Sequence, residues 1–162
     1  MPIKVGDRLP NATFRVMTPD GPAPKTTDEI FKGKKIVLFA VPGAFTPTCH
    51  KNHMPGFVKN AGAIKAKGVD AIAVTGVNDV FVMDAWKKAS DADGKVDYFL
   101  SDGSGEFAKA LDLTFDGSGN GLGIRSKRYS MVVDDGVVKA LNVEDSPGKA
   151  DVSNADNLLK AL

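Results

Sequence analysis

The apolar positions of the chain fall into short blocks that predict buried strands separated by helices. Residues 35–41 and 69–77 are almost continuously apolar and rich in β-branched side chains, which is typical of strands buried on both faces of a sheet. Residues 96–100 predict a third strand. A helix is expected after each strand: one beginning near Cys49, one capped by Asn78 or Asp79, and one over residues 104–111. Pro55 and Gly56 should bend or interrupt the first of these helices.

The two ends of the chain carry different signals. Residues 11–17 alternate between apolar and polar positions and precede a Pro-Asp-Gly turn within residues 18–22, so they predict an N-terminal hairpin. Towards the other end, the Asp-Asp-Gly sequence at 134–136 separates two apolar runs and predicts a second hairpin. Residues 154–162 predict a final helix. The segment 114–124, which contains four glycines, is expected to be an irregular loop.

This order of elements predicts the fold class. Strand–helix–strand–helix, followed by a hairpin and a terminal helix, is the order of a thioredoxin-like α/β sandwich. Such a sandwich has a central mixed sheet, here with an N-terminal hairpin extension and a C-terminal helix. At 162 residues and 17.1 kDa, with no repeat and no linker, the chain is expected to form one domain over residues 1–162.

Charge and composition narrow the class of function. A formal net charge of +1 gives no electrostatic argument for binding nucleic acid or an anionic membrane. No apolar stretch is long enough to span a bilayer, and the first residues lack the apolar core of a signal peptide. Together with a cysteine that has no partner for a disulfide, these features predict a cytoplasmic protein in a reducing compartment.

The chemistry suggested by the sequence centres on Cys49, the only cysteine in the chain. It follows the strand at 35–41 across a Pro- and Gly-rich stretch, and Thr46-Pro47-Thr48 is typical of the start of a helix. In the first turn of a helix, unpaired N–H groups and the helix dipole favour a thiolate. Such a thiol is a nucleophile or a redox centre; the alternative is a buried structural cysteine.

A single cysteine also limits the chemistry. No disulfide can form within the chain, so a redox cycle through Cys49 needs a thiol from another molecule. His50 and His53 lie nearby, but one cysteine and two histidines are too few ligands for a metal site, and nothing indicates a cofactor. His53 is expected to pack beside the helix and bond to backbone. His50 either tunes the pKa of the neighbouring thiol or points to solvent, and the second is the preferred interpretation. A cysteine hydrolase is disfavoured because His53 shares a helix with the thiol. A thioredoxin-type reductase is disfavoured because Thr46 replaces the first cysteine of Cys-x-x-Cys.

Five sequence segments identify a family that the chain resembles. They are Val41-Pro42-Gly43-Ala44-Phe45-Thr46-Pro47-Thr48-Cys49, His53-Met54-Pro55-Gly56-Phe57, Val77-Asn78-Asp79, Asp102-Gly103-Ser104-Gly105-Glu106-Phe107 and Arg128-Tyr129-Ser130-Met131-Val132-Val133. In this order they resemble the peroxiredoxins, in particular the subgroup of the plant type II and mammalian type V enzymes. The resemblance covers nearly the full length. It implies a thiol-dependent peroxidase that reduces hydrogen peroxide and alkyl hydroperoxides.

The resemblance also implies a role for each matching residue. Cys49 would be the peroxidatic nucleophile, which attacks the O–O bond and becomes a sulfenic acid. The Thr46 hydroxyl would hold the thiolate and a peroxide oxygen, and Pro42 would shield the thiolate. The Arg128 guanidinium would face both the sulfur and the peroxide, where a fixed cation stabilises the developing negative charge. The residues expected to line the substrate pocket are Thr48, Gly43 and Phe45.

Two positions depart from the family pattern. Plant members often carry a second cysteine where this chain has Val74, and mammalian members carry one near residues 151–153; both are absent here. The resemblance therefore implies a one-cysteine mechanism in which an external thiol reduces Cys49. Glutathione with glutaredoxin is the preferred couple, because a small thiol can enter a narrow pocket, and thioredoxin acting directly is the second choice. A non-enzymatic redox sensor or thiol-dependent holdase is the alternative function.

The helix that follows residue 79 carries two further expectations. Trp86, Phe81 and Met83 are expected to be packing residues. In the resembled subgroup this region contributes to a dimer face near the active site. The subunits are therefore expected to form homodimers through the loop carrying Phe45 and the start of the 80–86 helix, including Val80.

Overall fold

A computed structural model describes the whole chain, Met1 to Leu162. The strands are β1 (Thr13–Thr18), β2 (Gly21–Thr26), β3 (Lys35–Val41), β4 (Ala71–Gly76), β5 (Tyr98–Ser101), β6 (Thr114–Asp116), β7 (Ile124–Ser126), β8 (Tyr129–Asp134) and β9 (Val137–Val143). The helices are α1 (Thr27–Phe31), α2 (Met54–Lys65), α3 (Val80–Ala89), α4 (Glu106–Leu111) and α5 (Ala155–Leu159). A π-helical segment, Cys49–His53, runs directly into α2. None of the helices has the length and apolar character that a bilayer span requires.

Seven strands form one mixed sheet in the order β2-β1-β5-β4-β3-β8-β9. The three central strands β3, β4 and β5 are parallel, and β8, β9 and the β1–β2 hairpin join antiparallel. This arrangement confirms the predicted thioredoxin-like sandwich with its N-terminal hairpin extension and its C-terminal helix. The predicted second hairpin is β8–β9.

The central strand β3 shows how the sheet separates two cores. Alternate residues of a strand face opposite sides. Val37, Phe39 and Val41 pack with buried side chains of α2, α3 and α5 in one cluster, which includes Cys49. Ile36, Leu38 and Ala40 pack on the other face with buried side chains of α1 and α4. Because β3 is covered on both faces, its sequence is continuously apolar.

The expectation of an irregular loop over residues 114–124 is wrong. Its ends pair as β6 and β7 and form a second, two-stranded sheet, with Phe115 opposite Arg125. The glycines lie in the turn between the two strands, where Gly117 N–H donates to the Gly123 carbonyl at 2.6 Å. The high glycine content therefore describes the turn of a hairpin and not the whole segment. This hairpin places Arg125 beside the loop that follows β3.

Candidate active site

The register of the sheet brings the candidate residues together. Ala40 in β3 pairs with Tyr129, the first residue of β8, so Arg128 lies beside the carboxyl end of β3. On the other side of β3, Val41 pairs with Gly76 at the end of β4. Segments from two neighbouring strands thus flank the loop that leads to Cys49. This is the edge of a parallel sheet where ligands commonly bind.

Cys49 begins a wide helical turn. The helix starts at Pro47 and Thr48, and neither Thr48 nor Thr46 caps it with a side-chain hydrogen bond to a helical N–H. Met54 N–H reaches back five residues to the Cys49 carbonyl, which makes the Cys49–His53 turn π-helical. Pro55 has no N–H to donate to the preceding turn, and the wide turn directly before it accommodates this loss. The expected interruption of the helix at Pro55 is therefore a change of helical pitch and not a break.

Arg128 connects the thiol to the rest of the site. Its Nη2 donates to Cys49 Sγ at 2.9 Å, and its Nη1 lies 2.9 Å from His53 Nδ1. Nε and Nη2 both donate to the Pro147 carbonyl, at 3.2 and 3.0 Å. Cys49, His53 and Arg128 are all buried. The guanidinium is therefore held in one orientation by three acceptors from two segments of the chain, the Cys49–His53 turn and the loop at Pro147.

His53 is neutral and has a defined tautomer. Its Nε2 lies 2.9 Å from the Ser153 carbonyl, which can only accept, so Nε2 carries the proton. Nδ1 is then free to accept from Arg128, which can only donate. Burial, followed by the nearby positive charge of Arg128, lowers the pKa of His53 to about 3, against a smaller raising effect of the bond to Ser153. The expectation that His53 packs by the helix and bonds to backbone is confirmed, and its contact with Arg128 is new.

A buried carboxylate fixes the segment that holds His53. Glu144 Oε2 accepts hydrogen bonds from Val152 N–H at 2.8 Å and from both the N–H and the hydroxyl of Ser153 at 2.7 Å. These bonds keep the Ser153 carbonyl in place for His53. The carboxylate of Glu144 thus acts on the site through Ser153 and His53, and the Glu144 N–H donates to the Arg128 carbonyl at 2.9 Å.

Arg128 has no carboxylate as a counter-ion. None of the six ion pairs in the molecule includes it. An unpaired buried cation is costly, and the group beside it that can carry a negative charge is the sulfur of Cys49. The contact therefore places a fixed positive charge against the sulfur, the atom on which a nucleophilic thiol carries its charge.

The loop between β3 and the helix is fixed by three polar contacts. The Thr46 hydroxyl donates to the Gly43 carbonyl at 2.6 Å, and Asn78 Oδ1 accepts from Ala44 N–H at 2.9 Å. Arg125 Nη1 donates to the Pro42 carbonyl at 3.2 Å. Pro42 and Gly43 are buried by these neighbours. A methyl group on Gly43 would lie only 3.0 Å from the Thr46 methyl and 3.1 Å from Arg125 Nη1, so the packing of this loop depends on glycine.

The remaining candidates lie at the margin of the site. Thr48 is partly buried, and its hydroxyl donates to the Gly148 carbonyl at 3.1 Å. Phe45 is 45% exposed and adopts a positive φ of 65°, a left-handed conformation that is strained for an aromatic residue. The roles of Thr48, Gly43 and Phe45 in binding substrate stay predictions.

Two expectations for residues near the site are wrong. His50 does not simply point to solvent: its half-buried ring accepts a hydrogen bond at Nδ1 from Trp86 Nε1, at 3.0 Å. The neighbouring α3 brings Trp86 within reach, and a buried indole N–H needs an acceptor. Phe81 is not a packing residue, because it is 63% exposed on the first turn of α3, whereas Met83 and Trp86 are fully buried as expected.

Sequence reasoning missed the residues that support the site. Asp79, through its Oδ1, caps α3 by accepting from Val82 N–H, which leaves Asn78 to hold the loop at Ala44. The signal was present, because Asn78 follows a strand predicted to lie parallel to β3. Arg125 directly follows the segment 114–124 that was expected to be irregular, so no predicted element gave it a position.

Comparisons with known proteins agree with this geometry. The Redoxin family model matches residues 4–159. The chain is 50% identical over 164 residues to the rice protein Peroxiredoxin-2E-2, chloroplastic, covering 99% of this chain and 72% of the relative. It is 46% identical to Peroxiredoxin-2B of Arabidopsis thaliana, covering 99% of each. The crystal structure of reduced Prx3 from Vibrio vulnificus in complex with hydrogen peroxide superposes with a TM-score of 0.93, at 50% identity and 98% coverage of each chain. The chain therefore belongs to the Redoxin family, within which it is a peroxiredoxin of the type II group and a thiol-dependent peroxidase.

Proposed function

We propose that Cys49 is the peroxidatic nucleophile of this enzyme. The observation that supports this role is the 2.9 Å contact between Arg128 Nη2 and Cys49 Sγ, made by a buried cation that has no carboxylate partner. The thiolate is the reactive form of cysteine, and this contact places a positive charge against its sulfur. Cys49 is also the only thiol that the chain offers.

The proposed reaction is an attack of the Cys49 thiolate on one oxygen of the peroxide. An S–O bond forms while the O–O bond breaks, and the departing oxygen leaves as an alkoxide or hydroxide that takes up a proton. The products are the Cys49 sulfenic acid and an alcohol or water. Sulfur is oxidised by two electrons and the peroxide is reduced by two.

Arg128 has a donor left for the peroxide. Four of its five N–H groups donate to Cys49, His53 and, twice, Pro147, so one N–H on Nη1 has no acceptor. We assign this N–H to the oxygen on which charge develops. Thr46 is assigned to orient the peroxide once its hydroxyl turns from the Gly43 carbonyl, and Pro42 to exclude water from the sulfur. Gly43, Phe45 and Thr48 are assigned to the wall of the pocket.

The test of Cys49 is the variant Cys49→Ser. It should consume no peroxide in the presence of a thiol reductant, and intact mass after brief peroxide treatment should show one added oxygen in the wild type only. Many turnovers per subunit separate the enzyme from the alternative of a redox sensor or holdase, which would stop after one. Peroxidase activity that survives in Cys49→Ser would contradict the assignment.

We assign glutathione followed by glutaredoxin as the reductant, with thioredoxin acting directly as the alternative. The support is that Cys49 is fully buried and has no second cysteine in the chain, so a small thiol reaches it more easily than a protein does. A glutathione adduct on Cys49 that glutaredoxin removes is the expected observation in mass spectrometry. Full turnover with thioredoxin alone, and none with glutathione and glutaredoxin, would overturn the choice of donor.

We also assign a homodimer and a cytoplasmic location. The support for the dimer is that Phe45 and Phe81 are exposed at 45% and 63%, whereas Val80, at the start of α3, is buried within the subunit. Sedimentation at micromolar concentration should show a species of twice 17.1 kDa, and Phe81→Glu should shift it to the monomer. A monomer in the wild type would contradict the dimer. Cell fractionation tests the location, for which the lone reduced thiol is the support.

A further inference from the structure

Arg125 is a second arginine at the active-site loop, and most of its hydrogen-bonding capacity is unused. Its Nε donates to the Leu122 carbonyl at 2.8 Å and its Nη1 to the Pro42 carbonyl at 3.2 Å. The other three N–H groups have no acceptor within the chain. Arg125 takes part in none of the ion pairs of the molecule and is only partly buried, so solvent or a ligand can reach the residue.

The guanidinium lies against the loop that leads from β3 to Cys49. Arg125 and Thr46 bind consecutive carbonyls of the loop, those of Pro42 and Gly43. A methyl group added to Gly43 would touch both side chains, which shows that they are neighbours. Arg125 is therefore held beside the residue that is assigned to the peroxide, and two backbone bonds fix its position.

No ion pair of the chain includes this cation, and Asp116, which lies opposite Ile124 in the hairpin, accepts from Ser118 N–H. Residues 42–54, which form the loop and the first turns of the helix, contain no Asp or Glu, and neither do residues 117–128 around Arg125. The other arginine of this region, Arg128, is already paired with Cys49 Sγ. Of the two arginines of this region, Arg125 is thus the one that retains most of its donors unused beside the loop.

We propose that Arg125 binds a carboxylate of the thiol that reduces the Cys49 sulfenic acid, which makes it a specificity-determining residue for a carboxylate-bearing thiol such as glutathione. An arginine fork recognises a carboxylate through paired, charge-assisted hydrogen bonds. The proposal rests on the proposed function, because it concerns the reductant of the same site.

The reaction that this contact assists is the second half of the catalytic cycle. The sulfur of the incoming thiol attacks the Cys49 sulfenic sulfur, an S–S bond forms and the S–O bond breaks. The hydroxyl group leaves with the proton of the thiol as water. The incoming sulfur is oxidised, the Cys49 sulfur is reduced, and a mixed disulfide remains. Arg125 takes no part in the bond changes and only orients the thiol.

The test compares two thiols that differ in charge at the carboxylates. The Cys49 sulfenic acid is formed with one equivalent of peroxide, and its decay is followed by stopped flow with glutathione and with glutathione diethyl ester. The variants are Arg125→Gln, which stays polar but has no charge, and Lys95→Gln as a matched control. Lys95 is an exposed lysine without an ion pair, in the turn before β5 at the opposite end of the parallel strands from Cys49.

The expected result is a selective loss. Arg125→Gln should lower the rate constant for glutathione about tenfold more than the rate constant for the diester. This factor is the scale of one lost hydrogen bond to a charged group. In Lys95→Gln the ratio of the rate constants for the two thiols should stay within about twofold of the wild-type ratio. Added salt should reduce the preference of the wild type for glutathione. If Arg125 only fixed the loop at Pro42, both thiols would slow equally, and the proposal would be overturned.

Two further outcomes separate the proposal from its premises. If the wild-type sulfenic acid reacts with neither thiol, glutathione is not the reductant. Both the proposed donor and the proposed role of Arg125 are then wrong. If glutathione reacts normally and Arg125→Gln does not change its preference over the diester, only the role of Arg125 falls. A fatty-acid hydroperoxide and its methyl ester provide the last arm. A loss confined to the charged peroxide would assign Arg125 to the substrate and overturn its role towards the thiol.

Discussion

Replacing Arg128 by glutamine removes the one positive charge in contact with Cys49. The guanidinium donates to three acceptors, Cys49 Sγ, the His53 ring and the Pro147 carbonyl, and the shorter neutral amide cannot reach all of them. Losing a donor aimed at charge that develops in the transition state costs about 3–4 kcal/mol, or roughly 10²- to 10³-fold in rate. We expect the second-order rate constant for hydrogen peroxide to fall by this factor in Arg128→Gln.

The assay is a competition between this protein and a haem peroxidase of known rate for a limiting amount of peroxide. The rate constant of Arg128→Gln should lie well below that of the wild type, because the cation that stabilises the developing negative charge is gone. Arg128→Lys keeps the charge but not the planar fork, so its rate constant should lie between those of the wild type and Arg128→Gln. Arg8→Gln is the matched control, since Arg8 is an exposed arginine that donates to the Asp135 carbonyl.

The same substitution also tests the folding role of the guanidinium. The Pro147 carbonyl and His53 Nδ1 lose their donor, at a cost of about 1–3 kcal/mol for each buried group left without a partner. Thermal melting therefore has to be measured beside the kinetics. A folded Arg128→Gln protein that reacts with peroxide as fast as Arg8→Gln would refute the role assigned to Arg128.

Three other changes give distinct outcomes. Thr46→Val should slow the reaction with hydrogen peroxide about 10²-fold, whereas Thr46→Ser, which keeps the hydroxyl, should not, as the competition assay will show. Gly43→Ala should lower the same rate and the melting temperature, because the added methyl group would lie 3.0 Å from the Thr46 side chain. The pKa of His53 is about 3 in the native state, so between pH 6.5 and this value the unfolded chain takes up a proton that the native one does not. As the pH is lowered through this window, the free energy of unfolding should therefore decrease more steeply in the wild type than in His53→Gln. The difference in slope, measured by denaturant titrations, should be at most about 1.4 kcal/mol per pH unit.

The central part of the fold could be predicted because its signals are local. The continuous apolar run of β3 and the Asp-Asp-Gly turn between β8 and β9 each depend on a few adjacent residues. Cys49 and Arg128 could be assigned from resemblance, but their contact depends on the pairing of Ala40 with Tyr129, which is a long-range property.

What could not be predicted depends on contacts between distant segments. The contacts of His53 with Arg128 and of His50 with Trp86 join residues 75 and 36 positions apart. The environment of each imidazole depends on its partner, Arg128 for His53 and Trp86 for His50. No feature of the helix sequence alone distinguishes the environments of the two histidines. The exposure of Phe81 is a similar case, because a helix has a face that is set only when it packs on the sheet.

The hydrogen bond between Trp86 and His50 makes Trp86 an intrinsic fluorescence probe of the active-site helix. Trp86 is the single tryptophan of the chain and is fully buried, and its indole N–H is tied to the residue that follows Cys49. Indole emission depends on the hydrogen bonding and polarity around the ring, so a shift of the helix at Cys49 changes the signal without any attached dye. A chemical state of the Cys49 sulfur that moves His50 should therefore change the emission of Trp86. This emission can be followed in real time in the unmodified protein.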